Sequence, residues 1–207
     1  LLLLAGNRFG KGLIQPGGLR YLLSRKNFDS IQQMCRDLRT EIEHVLDLLF
    51  SASSVLSRFE KTGTVSHQSA EQLGLVGVAG RASGVAYDVR NAFPTGYYQK
   101  IDVTPNVETT GDVMGRAMVR NREILNSLDI IDGMTYETAT KDETYDLSTS
   151  KPASVVITLN EGWRGELSHC IITDDKGDIL RYKVKDPSFH NWNGLALSLK
   201  NEQISDF

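Results

Sequence analysis

Between residues 31 and 49, apolar side chains recur at Ile31, Met34, Cys35, Leu38, Ile42, Val45, Leu46 and Leu49. These steps of three and four predict a long amphipathic helix. Asn27 and Asp29 offer candidate N-cap side chains, and Lys26, Arg36, Arg39, Glu41, Glu43 and Asp47 read as a solvated face. The pattern loosens through Ser51, Ala52, Ser53 and Ser54 towards Leu56 and Phe59, where small residues suggest a bend or close helix packing, and Gly63 is the expected end. Upstream, Gly6, Gly10, Gly12, Gly17 and Gly18 around Pro16 predict a loop. Ser66 can cap a short helix over 67–73, after which Gly74, Gly77, Gly80 and Gly84 are expected to interrupt any regular element. Tight backbone approach explains that many glycines. A second strong helix is predicted over 112–131, with Val113, Ala117, Ile124, Leu128 and Ile131 on one stripe and Gly133 as the stop.

The period changes after a polar, turn-rich stretch at 135–152. Val155, Val156, Ile157 and Leu159 predict a strand, and segments 166–173 and 179–184 flank Asp174, Asp175, Lys176, Gly177 and Asp178, which has hairpin-turn chemistry. Ser188 can cap a last helix carrying Trp192, Leu195, Ala196 and Leu199. The expected class is α+β and mainly α: a helical body at 1–134, a connecting loop at 135–153, and a β-hairpin lobe with a C-terminal helix at 154–207.

The chain has 207 residues, 40% of them hydrophobic and 24% charged, with 23 Lys+Arg against 26 Asp+Glu and a net charge of −3. This is globular composition and excludes a disordered tail or a collagen-like rod. The absence of a basic excess argues against nucleic acid as a partner. Cys35 and Cys170 sit in no CxxC, and His44, His67, His169 and His190 show no HxxxH or HxH spacing. No metal centre is therefore expected from this segment alone. The glycines do not match GxGxxG, and no GxSxG is present. The run Leu1 to Leu4 is far short of the ~20 apolar residues that span a bilayer, so no transmembrane segment is expected. That run reads as the tail of a buried helix, and the missing initiator Met suggests an excised piece.

Charge is concentrated in two otherwise apolar or small-residue stretches. Arg81, Asp88 and Arg90 lie in RASGVAYDVR; Glu161, Arg164, Glu166 and His169 lie in EGWRGELSH. Buried charge costs several kcal/mol unless paired, so these groups are either structural ion pairs or a relay for protons and anionic groups. Arg164, beside a glycine at a strand start, is expected to tie the lobe to the helical body. His169 has the intrinsic pKa for proton transfer, although a lone strand histidine also suits packing.

At these motifs the sequence resembles the large, nickel-carrying subunit of membrane-bound nickel-iron hydrogenases of the formate hydrogenlyase type, and its homologue, the quinone-site subunit of respiratory complex I. The strings that carry the resemblance are NRFGKGLIQPGG (7–18), RASGVAYDVR (81–90), GDVMGRAMVRNRE (111–123) and EGWRGELSHCIITDDKGDILRYKVKDPSFHNW (161–192). The resemblance implies a long-helix bundle with a peripheral β region. It also implies a nickel-iron centre held by two CxxC pairs, neither of which is in this sequence; Cys35 and Cys170 do not match those positions. The segment would then be a scaffold for that centre, itself inactive in isolation, with no cofactor of its own. Iron-sulfur clusters would belong to partner subunits: an iron-sulfur small subunit and membrane subunits. The implied location is cytoplasmic and peripheral on the inner face of the cell membrane. His169 stands where hydrogenase-like members carry histidine and complex I members an aromatic residue. On this reading Glu161, Arg164 and His169 are candidates for a proton path or for packing beneath the metal pocket, and Arg81 and Asp88 for lining the cavity. The alternatives are a quinone-binding subunit of an NADH:quinone oxidoreductase and a metal-free structural or assembly paralogue.

Overall fold

A computed structural model describes residues 6–15, 18–21, 23–139 and 150–203. The expectation for Leu1 to Leu4 and the greater part of the connecting loop lie outside them. The opening segment holds a minimal antiparallel pair where a loop was expected, β1 (Ile14–Gln15) and β2 (Gly18–Leu19). Helix α1 (Arg25–Ser51) follows. Its cap is Ser24, whose Oγ accepts from the Asn27 N–H at 3.2 Å, and neither Asn27 nor Asp29 fills that role. Asp29 lies one turn inside, paired with Arg25.

The expected bend is present. Ala52 adopts an extended conformation (ψ 112°) that separates α1 from α2 (Ser53–Phe59). Helix α2 stops at Phe59 rather than at Gly63, which takes a left-handed φ of 60° in the turn beyond. Helix α3 (His67–Leu73) is capped by Ser66 and ended by left-handed Gly74, as its sequence predicts. The glycine-rich stretch does not stay irregular, however: α4 (Gly77–Ala82) forms within it. Its glycines permit close approach, since a Cβ on Gly77 would lie 2.3 Å from the Arg164 carbonyl oxygen and one on Gly80 would lie 2.5 Å from that of Leu75. A short helix α5 (Val89–Ala92) and a 3-10 turn (Gly96–Gln99) lead to α6 (Val113–Asp132).

Asp112 caps α6 by accepting from the Gly115 N–H at 2.8 Å. The deeply buried face of α6 runs through Gly115, Val119 and Leu128; Ile131, expected on the stripe, is exposed. The reason is that α6 packs between α1 and α4, so it needs two faces rather than one. Polar contacts fix its register on α1. Arg36 pairs with Asp132, Arg39 with Asp129, and Gln32 donates to the carbonyls of Asp132 and Met134. The half of the α1 stripe at Ile31, Cys35, Ile42, Leu46 and Leu49 is partly buried, while Met34, Leu38 and Val45 are exposed. A helical turn, α7 (Tyr136–Ala139), begins the segment expected to be loop.

The β lobe is a three-stranded antiparallel sheet in the order β3 (Val155–Gly162), β4 (Gly165–Thr173), β5 (Ile179–Lys185). The hairpin turn falls at 174–178, where Asp174 Oδ1 accepts from the N–H groups of Lys176 and Asp178. Helix α8 (Ser188–Ser198) closes the described chain. Its first turn is held by Asp186, which accepts from the Ser188 N–H at 2.8 Å, and the Ser188 side chain does not cap. The architecture is thus α+β and mainly helical, with a core of Val65, Ala70 and Leu75 and a second of Val78, Ala82 and Val119.

Candidate functional site

Arg81, at the end of α4, is 1% exposed. Its burial follows from two close approaches: Gly77 brings α4 against the β3–β4 turn, and Gly115 of α6 lies beside the Ala82 carbonyl at the end of α4. The guanidinium contacts groups from three directions. Nε donates to Glu123 Oε1 of α6 at 2.7 Å, and Nη1 donates to Glu161 Oε1 of β3 at 2.8 Å and to the Tyr87 carbonyl at 2.9 Å. Asp88 Oδ2 lies 3.5 Å away. Asp88 caps α5 and accepts from the Arg90 N–H, from its Nε at 3.0 Å and from its Nη2 at 2.6 Å. Glu161 Oε2 accepts from the Val89 N–H at 3.1 Å. Every carboxylate therefore has a cationic or N–H partner, the condition for tolerating charge in a low-dielectric interior.

Two guanidiniums, Arg81 and Arg90, face three carboxylates, Asp88, Glu123 and Glu161, so full ionisation would leave one negative charge in excess. The groups divide that excess unequally. Burial would raise Asp88, but its hydrogen bonds to Arg90 hold the carboxyl below the usual range. For Glu161 burial prevails, and its pKa is raised despite Arg81. Burial thus favours the protonated form of Glu161 more than in an exposed glutamate. Beside it, the Tyr87 hydroxyl donates to Glu166, and burial and that carboxylate push the phenol pKa well up. Tyr87 stays neutral and acts as a hydrogen-bond donor.

The cluster unites Arg81, Asp88 and Glu161 and leaves the other two candidates elsewhere. Glu161 and Glu166 are directly opposed across β3 and β4, so they share a sheet face. His169 is three residues beyond Glu166 on the same regular strand and projects from the opposite face. There its Nδ1 lies 2.6 Å from the Tyr182 hydroxyl, and the two rings stack. The Arg164 guanidinium does not tie the lobe to the helical body: its side chain is 65% exposed and 3.6 Å from Asp186. The tie is made instead where Gly165 abuts Gly77, backbone to backbone, and by the Arg81–Glu161 pair. The sequence reading missed Glu123 and Tyr87. The signal for Glu123 was the series Gly115, Val119, Glu123, whose steps of four place a carboxylate on the most buried face of α6.

The donor set does not fit a nickel-iron centre. Among the described residues no group of three or more His, Cys, Asp and Glu could hold a metal ion. The two cysteines are on α1 and β4, and burial raises the Cys35 thiol pKa, the opposite of what a thiolate ligand requires. No described helix is long and apolar enough to cross a membrane.

Comparison with known proteins gives the same picture of relationship. A family model described as the respiratory-chain NADH dehydrogenase 49 kDa subunit matches residues 2–148 and 134–207. The chain is 29% identical over 204 residues to a carbon monoxide-induced hydrogenase of Rhodospirillum rubrum, covering 97% of this chain and 56% of the relative. It is 29% identical over 229 residues to NADH-quinone oxidoreductase subunit 4 of Thermus thermophilus, again 97% of this chain and 56% of the relative. Formate hydrogenlyase subunit 5 of Escherichia coli is 26% identical over 204 residues, 99% of this chain and 36% of the relative. The chain thus spans little more than half the length of the first two.

Proposed function

The chain belongs to the respiratory-chain NADH dehydrogenase 49 kDa subunit family, and from that premise we propose that it is the supporting part of a hydrogenase-type oxidoreductase large subunit. It works in a membrane-associated assembly that couples H2/H+ chemistry to electron transfer. The observation that carries this reading is the Arg81, Asp88, Glu123, Glu161 cluster, which locks α4, α6 and β3 together while keeping one carboxylate with a raised pKa. A redox centre that consumes or releases protons needs groups of this kind nearby. The thiolates of a nickel-iron centre come from outside the described residues. In this role the chain positions and shields, and is silent by itself. Its partners are an iron-sulfur small subunit and membrane subunits, and its place is peripheral, on the cytoplasmic side of the membrane.

The sequence resemblance implies a histidine at the His169 position in the hydrogenase branch, and on that implication the hydrogenase reading is put first. The competing reading, a quinone-binding subunit, is supported by the family description and by the Thermus relative. Glu161→Gln in the assembled enzyme tests the proposal. Hydrogen turnover is expected to fall at least tenfold with subunit assembly and metal content unchanged. Full turnover in that variant overturns the proton role, and a native complex without nickel that reduces quinone overturns the hydrogenase reading.

A further inference from the structure

A cavity of about 480 Å³ opens between α4, α6, the β3–β4 turn and α8. Its size falls in the range of about 300–1,000 Å³ that suits small molecules. Leu75, Val78, Trp192 and Leu195 give it apolar walls, and Arg116 and Arg120, one turn apart on α6, add two positive charges. These guanidiniums differ from Arg81, which meets three carboxylates. Among the described residues Arg116 donates to the carbonyls of Gly63 and Gly111, and Arg120 donates only to the Arg116 carbonyl. The carboxylates whose fields reach Arg116 are engaged with backbone: Asp112 caps α6 and accepts from the Lys61 N–H, and Glu202 accepts from the Gly63 N–H at 2.7 Å. Burial, reinforced by the like charge of Arg120, lowers the Arg116 pKa even though Asp112 and Glu202 act the other way, so an anion placed there would offset the cost of burying this cation.

Two arginines that form no carboxylate ion pair among the described residues, with Glu123 reaching Arg120 only through its field, stand beside apolar walls and call for a ligand that is anionic at one end and apolar along its length. We propose that this cavity binds a small amphipathic carboxylate, with its head group on Arg116 and Arg120 and its hydrocarbon tail against Leu75, Val78, Trp192 and Leu195. The cavity shares no lining residue with the Arg81 cluster, although the field of Glu123 reaches Arg120, and its occupancy does not depend on which redox reaction the family member performs.

The chain carries its own probe. Its two tryptophans, Trp163 and Trp192, both line the cavity, so tryptophan emission, excited where tyrosine does not absorb, responds to a ligand seated there. Octanoate and decanoate, kept below micelle formation, are titrated into the full chain by fluorescence and by calorimetry, with octanol as the uncharged control. Saturable one-to-one binding is expected, at least tenfold tighter for octanoate than for octanol. Arg120→Gln should weaken octanoate at least tenfold and leave octanol unchanged. Arg120 is exposed with one hydrogen bond to a helix carbonyl, so this variant should keep its circular dichroism. Arg116→Gln serves as the second variant. Equal affinity for octanol, unsaturable uptake, or wild-type octanoate affinity in a folded Arg120→Gln chain each overturns the proposal. A site that ignores every free carboxylate but takes an acidic peptide also overturns it.

Discussion

At the residue scale, Glu161 and Asp88 sit in one cluster and respond to pH in opposite directions. Asp88 is depressed, so its stabilising contribution is present above the unfolded aspartate value of about 3.9 and lost as pH falls through the folded value. Glu161 is raised, so its contribution is present below about 4.3 and lost as pH rises through its folded value. Glutamine imitates the protonated form. The stability of Glu161→Gln relative to the wild type should therefore improve as pH rises above about 4.3 and level off once Glu161 is ionised in the folded state, while the acid limb governed by Asp88 and Asp112 persists. Urea unfolding from about pH 4 upwards measures it; a constant difference would mean that Glu161 binds its proton equally well in the folded and unfolded states. That Arg81 and Asp88 belong together was legible because charge stood isolated in a small-residue stretch. That Glu161 joins them was not, because no local rule connects positions eighty residues apart.

At the scale of elements, the sequence was most informative where a backbone terminus declared itself. Ser66, Asp112, Gly74, Gly133 and the Asp174 turn all do what their chemistry predicts. It was least informative at Ser24 and Asp186, where the neighbouring Asn27 and Ser188 are equally good cap residues and only the path of the chain selects between them. The glycine helix α4 illustrates a different limit. Low helix propensity argues against it, yet tertiary contact overrides propensity because nothing bulkier fits. Gly77→Ala tests this directly. The left-handed φ of 62° alone costs an alanine about 1–3 kcal/mol, and its Cβ would also collide with the Arg164 carbonyl. A loss of about 3 kcal/mol or more is expected in denaturant unfolding; a loss under about 1 kcal/mol would mean that the β3–β4 turn can retreat without penalty.

At the scale of the whole molecule, apolar surface is distributed unlike that of a solitary domain. Met34, Leu38, Val45 and Leu48 on α1, Val155, Ile157, Ile179 and Leu180 on the sheet, and Phe189 and Trp192 on α8 are all exposed. Exposed apolar side chains repeated along one helix and on the sheet are surface suited to contact with other polypeptide. Kept apart from partners, the chain should bind a hydrophobic dye and self-associate as its concentration rises, which fluorescence and sedimentation would record. A monomer that leaves the dye dark would contradict this.

One contact governs how such a molecule deforms. The β lobe meets the helical body through Gly165 against Gly77, backbone to backbone, and the Arg81–Glu161 pair crosses the same seam. A peptide bond cannot shorten or swing aside as a side chain can, so the lobe is pinned at this end as a lever is pinned at its fulcrum. The Asp174 turn, at the far end of β4, is held by segment 150–153, with the Ala153 N–H donating to the Asp174 carbonyl at 2.7 Å, and is the outer arm. Thermal motion should therefore grow along the sheet with distance from the glycines, and force applied to the outer strands by a neighbouring subunit would be delivered as torque at the Arg81 cluster.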